Sequence, residues 1–440
     1  MRFASLTPRF LAAPIATAAA LLALLTPAIA QTFNGDYVVD DETNTGPQVF
    51  SNIEVGVGDT GTFSVYDGRL VRSTSTIIVA RATATSAMGI VNVFGNHSRI
   101  EGDVDLRIAF NNLLATRTAI GTLNIEDGGH VRALVVRLST GNQPTQATVN
   151  VSGPGSLLEV TSSLEMNQSA TRTSTVTIGT GGTVSVGTTI DVFTGSPQII
   201  LDGGTLSLTG PSAVPAAGII QFNSGAFRFR SAQTLNGAAG FYTTYFGSPP
   251  VLAAGRGLVI DGTTTLATTL RIDGGSLRTD RIAVNPASGS LLLHGGTLTL
   301  TGDGAVLDSG ADFGPSVLIV GDGAGAAARL EMDGAGDVLL GHATIAADGS
   351  LTFAGTTLFV DSLNSAGRVT IAESSLYTGA GLLNTGSLGL ADTVVEGNVD
   401  SPAGSTIDVA GTVVFNGGFT GAAAFYGSGT VVFNGPVSID

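Results

Sequence analysis

A short unit recurs along this chain: a small residue, alternating apolar positions, two glycines, then alternation again. It reads Gly121-Thr122-Leu123-Asn124-Ile125-Glu126-Asp127-Gly128-Gly129-His130-Val131, and returns as Thr175 to Val186 around Gly181-Gly182. Further copies surround Gly203-Gly204, Gly274-Gly275 and Gly295-Gly296, with looser ones at 61–70, 89–100, 147–160, 328–338 and 349–360. Alternation at period two puts Leu123 and Ile125 on one face of a strand and Asn124 on the other. A doubled glycine lets the backbone take positive φ at a corner. One such unit cannot bury its apolar face alone. Stacked copies share a continuous interior and pair each strand with those above and below. The expected fold is therefore all-β: a parallel β-helix, with coils of about 20 residues and one irregular aromatic-rich insertion.

The spacings between doubled glycines are 53, 22, 71 and 21 residues. The short values set the coil; 53 holds two long coils or more, and 71 implies extra material. About 17–20 coils would make a rod of roughly 80–95 Å at ~4.8 Å per coil. A β-sandwich would also use frequent glycine turns. It does not account for one unit recurring over hundreds of residues, and the apolar content argues against a low-complexity disordered chain.

Composition agrees with an extended solenoid. Glycine is 62 of 440 residues and charged residues are only 12%, about half the usual share, so few like charges would stack in columns. All 19 basic residues are arginine against 34 acids, a net charge of −15, which excludes the basic footprint of a nucleic-acid binder. Cysteine is absent, removing disulfides, thiol catalysis and Cys-ligated zinc.

Residues 1–30 read as a secretory signal peptide, with Arg2 and Arg9 ahead of an apolar run from Ile15 to Leu25 and an Ala28-Ile29-Ala30 end. Cleavage is expected after Ala30, giving a secreted or cell-surface chain. No later stretch is apolar and long enough to span a bilayer as a helix. Residues 31–50 carry little strand pattern and are expected to cap the first coil. The β-helix is expected over 51–210 and again over 258–440, running to an uncapped end that a partner could cover. Between them, 211–257 breaks the pattern, framed by Pro211, Pro215, Pro249 and Pro250. Seven aromatics fall between 222 and 246. The plain reading is an irregular subdomain packed on the solenoid, with Phe inward and Arg outward around Phe229. The sharper one is a ligand platform for sugars formed by Phe229, Phe241, Tyr242, Tyr245 and Phe246.

The segment Gly121 to Val131, followed by Ala147-Thr148-Val149-Asn150-Val151-Ser152-Gly153-Pro154-Gly155-Ser156-Leu157-Leu158, resembles the repeat of bacterial autotransporter passengers and PEP-CTERM surface proteins. Residues 218–226 and 258–266 are similar to a stretch of the same proteins. The resemblance implies β-helical surface display and no shared reaction. A PEP-CTERM sorting tail and a terminal membrane β-barrel are both missing, so neither anchoring route carries over, and a truncated member is expected.

Catalytic constellations are thin. There is no G-x-S-x-G, Asp308-Ser309-Gly310 lacks a preceding glycine, and His97, His130, His294 and His342 are scattered without an H-E-x-x-H. Lysine-based lyase chemistry is impossible, and the Asp-Gly corners are explained by turn geometry. No cofactor is expected; the metal that composition suggests is calcium, at Gly321-Asp322-Gly323 and Asp333-Gly334-Ala335-Gly336-Asp337, although the full calcium repeat is not met. The function expected is a non-enzymatic surface or extracellular-matrix protein for display, adhesion or envelope structure, with surface or matrix glycans or proteins as partners. The alternatives are a β-helical carbohydrate-active enzyme and a glycan-binding module.

Overall fold

A computed structural model describes residues 29–39, 47–112, 116–141, 143–167, 172–195, 197–214, 218–284, 290–301, 307–308, 317–321, 328–332, 337–355 and 357–439. Nearly all of residues 1–30, with Ser309-Gly310 and most of both calcium-like turns, lies outside these.

The winding that contains Gly121 shows how sequence becomes structure. Ala119–Glu126 alternates, burying Leu123 and Ile125 and turning Asn124 outward. The chain bends at Asp127 and Gly128, which both have positive φ, runs through His130–Ala133, and turns again into Val135–Gly141. Three strands thus make a three-sided winding around Leu123, Ile125, Val131, Val136 and Leu138. Each strand pairs in parallel with its counterparts in the windings on either side.

The stacking is continuous. One column of register partners climbs from Gln48 through Val71, Ile100 and Val131 to Phe425 in sixteen parallel steps. At ~4.8 Å per step it is about 75 Å long. The fold is a parallel β-helix, with its core in the bore.

Two classes of winding follow one another. In the lower part, Asn92 donates to Ser64 Oγ from 28 residues away, Asn124 to Asn92 from 32, and Asn150 to Asn124 from 26. Near the top, Asn416 bonds Glu396 across 20 residues and Asn434 bonds Asn416 across 18. The coil of about 20 residues therefore holds only for the upper part. In the lower windings the longer strands and loops use the surplus. The interval between Gly128 and Gly181 contains two such windings, since His130 pairs Leu157 and Leu157 pairs Thr183.

The two glycines of a pair do different work. Gly181 sits at φ +76°, where a side chain is strained. Gly182 needs no unusual φ; a Cβ there would lie 2.3 Å from the Val151 carbonyl oxygen of the winding below. The pair thus permits both the bend and the close stacking. At Gly203-Gly204 the pair lies inside one long strand, Gln198–Leu208, so there it makes a bulge in register rather than a turn between strands.

A second corner has no glycine signature. Ala80, Ala109, Ser139 and Asn167 all have φ between 50° and 64°. Each follows a residue of one register column, Val79, Ile108, Leu138 and Met166. Gly56 occupies the same place one winding lower, after Val55. A left-handed corner is therefore stacked five high, four of its residues non-glycine.

Residues 31–50 carry more strand than their sequence advertises. Ile29–Phe33 pairs with Gln48–Val57, and Gly35–Val39 pairs with Thr60–Val65. Phe33, Tyr37 and Phe63 form an aromatic floor, with ring centroids 4.5 to 5.6 Å apart.

The stretch 211–257 is not irregular throughout. Ile220–Phe229 is an ordinary rung, paired to Gln198–Leu208 on one side and Arg256–Leu266 on the other. It buries Phe222, Phe227 and Phe229 and turns Arg228 outward to Asp261. The surplus of this winding includes a short turn, Pro211–Ala213, and one helical turn, Phe241–Phe246. At the upper end, Tyr426 and Ile439 of the last described strands are exposed at 60% and 65%.

Candidate functional site

The five rings proposed as a sugar platform do not form one. Phe229 is fully buried, Tyr242, Tyr245 and Phe246 are buried, and Phe241 is half-buried against the core. Phe241 packs edge-on against Phe227 and Phe229 at 4.9 and 5.0 Å, closing the helical turn over the bore. Burial pushes the Tyr242 and Tyr245 phenols up from their ordinary pKa. The reason is the period-two pattern of Ile220–Phe229, which sends its phenylalanines inward, where they need an apolar lid.

The histidines stay apart. His97 takes a left-handed corner at φ 70°. His130 Nε2 lies 3.2 Å from Glu159 in the next winding. His342 Nδ1 is 2.7 Å from Ser362 Oγ and 3.5 Å from Asp361. Burial holds the His130 pKa below its ordinary value, against the opposing pull of Glu159. A depressed folded pKa adds stability above the unfolded value and loses it as pH falls through the folded value. Stability should therefore fall as the pH drops below the ordinary histidine range, and His130→Gln should flatten part of that slope in urea titrations at each pH. An unchanged slope would contradict the burial argument.

An exposed pair of stacked aromatics lies elsewhere. In Thr357–Ser365, Leu358 and Val360 point inward and Phe359 outward; in Ser375–Asn384, Leu376 and Thr378 point inward and Tyr377 outward. Phe359 and Tyr377 are register partners and stack at 4.8 Å with planes 17° apart. Tyr377 is 40% exposed. The next residue up this column is Glu396, so among the described residues no ring covers the second face of Tyr377.

Around the pair lies an open cavity of about 390 Å³, lined by both rings with Asp361, Thr378, Gly379, Glu396 and Gly397. Gly379 and Gly397 in its lining leave no room for a side chain: a Cβ on Gly379 would lie 2.7 Å from Asp361 Oδ1, and one on Gly397 would strike Thr378. Glu396 accepts a 2.6 Å bond from Asn416, which accepts one from Asn434. The result is an outward strip of ring, ring, carboxylate, amide and amide. Rings offer apolar faces, while the carboxylates and amides bond hydroxyls, so the strip suits a polyhydroxylated ring compound.

Sequence reading missed this site because Phe359 and Tyr377 are isolated in the chain, 18 residues apart. Register alone joins them. A lateral scan for aromatics one coil apart would have found them.

A larger open groove of about 510 Å³ lies between Arg107, Phe110, Arg137, Thr140 and Glu165. Its arginines are already paired. Arg107 bonds Asp105 at 3.0 Å, and Arg137 bonds both Asp105 and Glu165. Those carboxylates raise the Arg137 pKa further, its hydrogen bond to Glu165 contributing most. Among the described residues no cluster of three or more His, Asp or Glu could hold a metal, and no helix is long and apolar enough to cross a membrane.

No family model matches the chain. The chain is similar to the adhesin BmaC autotransporter of Brucella suis biovar 1 (strain 1330), 29% identical over 311 residues. That alignment covers 61% of this chain and 9% of that protein, so the chain spans less than a tenth of its relative's length. The similarity concerns the autotransporter side of the resemblance; it says nothing of PEP-CTERM proteins.

Proposed function

We propose that this chain is a β-helical piece of an adhesin-like surface passenger, exported with loss of residues 1–30, which acts by contact rather than catalysis. Its contact site is the strip that begins at Phe359 and Tyr377, and its ligands are glycans. The observation that carries this reading is the outward ring pair on a rigid parallel stack, flanked by Asp361 and Glu396. The ~4.8 Å rise between rungs is close to the advance of one pyranose along an extended chain, so successive sugars would meet successive rungs. Similarity to an autotransporter adhesin supports the surface setting.

A glycan array followed by titration tests the site. Tyr377→Ala should weaken any hit at least tenfold, the ~1.4 kcal/mol scale of one lost aromatic contact. Tyr426→Ala, at an exposed ring outside the cavity, should leave binding unchanged. Equal binding by wild type and Tyr377→Ala would sink the assignment. Two carboxylates line one cavity, so hydrolysis or cleavage of a bound glycan, lost in Asp361→Asn, would favour the enzymatic reading instead.

A further inference from the structure

One buried charge has no counter-charge among the described residues. Arg172 opens the strand Arg172–Gly179 and points inward with Ser174, Val176 and Ile178. Its register column runs Ala87, Ala119, Thr145, Arg172, from methyl to hydroxyl to guanidinium. Arg172 is only 2% exposed. Its Nη1 donates to the Ser139 carbonyl at 3.1 Å, but among the described residues Nε and Nη2 have no acceptor. The hydroxyls of Thr145, its register partner, and of Thr140, next to Ser139, are also buried and unpartnered.

Among the described residues no carboxylate pairs with it. In the sequence, 82–86, 112–118, 142–144, 166–190 and 193–198 contain no Asp or Glu. Glu165 and Asp105 face outward and bond Arg137. Burial lowers the Arg172 pKa with no offsetting charge, yet a guanidinium keeps its proton in proteins. A bare buried cation beside unsatisfied hydroxyls is a costly arrangement that a bound ion relieves. Thr140 also lines the open groove beside Arg137.

We propose that Arg172 holds a small inorganic anion, of the size of chloride, inside the corner of the β-helix, with the Thr145 and Thr140 hydroxyls as further donors. The ion completes the charge balance where the long windings give way to shorter ones, and it ties the stability of that junction to the halide around the protein.

Thermal unfolding of the full chain in sodium chloride and in sodium gluconate, at equal ionic strength, tests this. Fixed ionic strength removes general screening of a chain with net charge −15. Chloride should raise the Tm saturably relative to gluconate, whose anion is too large for the corner. Arg172→Met should abolish that difference, and Thr145→Val should raise the half-saturating chloride concentration severalfold. Bromide anomalous diffraction on wild-type crystals should place one peak against the Arg172 guanidinium, a readout that does not need either variant to fold. Identical Tm values in the two salts, or a chloride effect that survives intact in Arg172→Met, would overturn the proposal, as would a bromide map with no peak at that corner.

Discussion

Gly182→Ala should destabilise the rod by about 3 kcal/mol or more, although it adds one methyl group to a chain of 440 residues. The added Cβ would lie 2.3 Å from the Val151 carbonyl oxygen and 2.6 Å from its carbon, both backbone atoms of the winding below. No rotamer change can relieve that contact; the two windings must separate. Separation breaks the parallel bonds between Leu157–Val160 and Thr183–Val186, on which the column depends. A solenoid's stability is approximately a sum of winding and interface terms, so the damage stays at one interface. Urea unfolding should then become biphasic, with the segments on either side melting at different midpoints. Gly210→Ala is the matched control. Gly210 has an extended φ of −175°, and its added Cβ would meet only Gln233 Nε2, at 3.7 Å. That variant should unfold as wild type does. A single unchanged transition in Gly182→Ala would mean that the windings do not stack as closely as described.

Phe227→Ala should cost about 3–5 kcal/mol, the range for deleting a buried aromatic side chain. Phe227 is fully buried and is the hub of the aromatic plug, with Phe222, Phe241 and Tyr245 around it at 4.8 to 5.3 Å. Its loss would leave the helical turn Phe241–Phe246 without its main contact. The chain has no Trp and six Tyr, two of them in that turn, so near-ultraviolet circular dichroism reads the undocking directly. The tyrosine signal should fall before the strand signal as urea rises. Phe193→Ala, at a ring 53% exposed, should change stability by under about 0.5 kcal/mol. Equal effects from the two variants would show that the 222–246 rings are not a core.

Much of the architecture could be read from the chain alone. Alternation around Leu123 and Ile125 specified strands with one buried face, and the doubled glycines marked places where windings bend or approach closely. The left-handed corner at Ala80, Ala109, Ser139 and Asn167 was invisible, because alanine carries no turn signature and a lone serine or asparagine does not mark a stacked corner. Those residues are held in a conformation costing about 1–2 kcal/mol each for an L-residue because the strands on both sides are already fixed by pairing. The aromatic cluster at 222–246 misled for the opposite reason: seven rings close in sequence suggested a surface, while alternation sent most of them inside.

The sequence by itself determined the repeating strand, its buried face, the close stacking that glycine permits, and the low charge that stacked columns tolerate. Tertiary structure decided which outward side chains meet. Neighbours along the rod's axis are 17 to 32 residues apart in the chain, and their alignment depends on the length of every corner between them. Phe359 thus meets Tyr377, and Arg172 lands above Thr145 without an acid in reach, through register that no local pattern encodes.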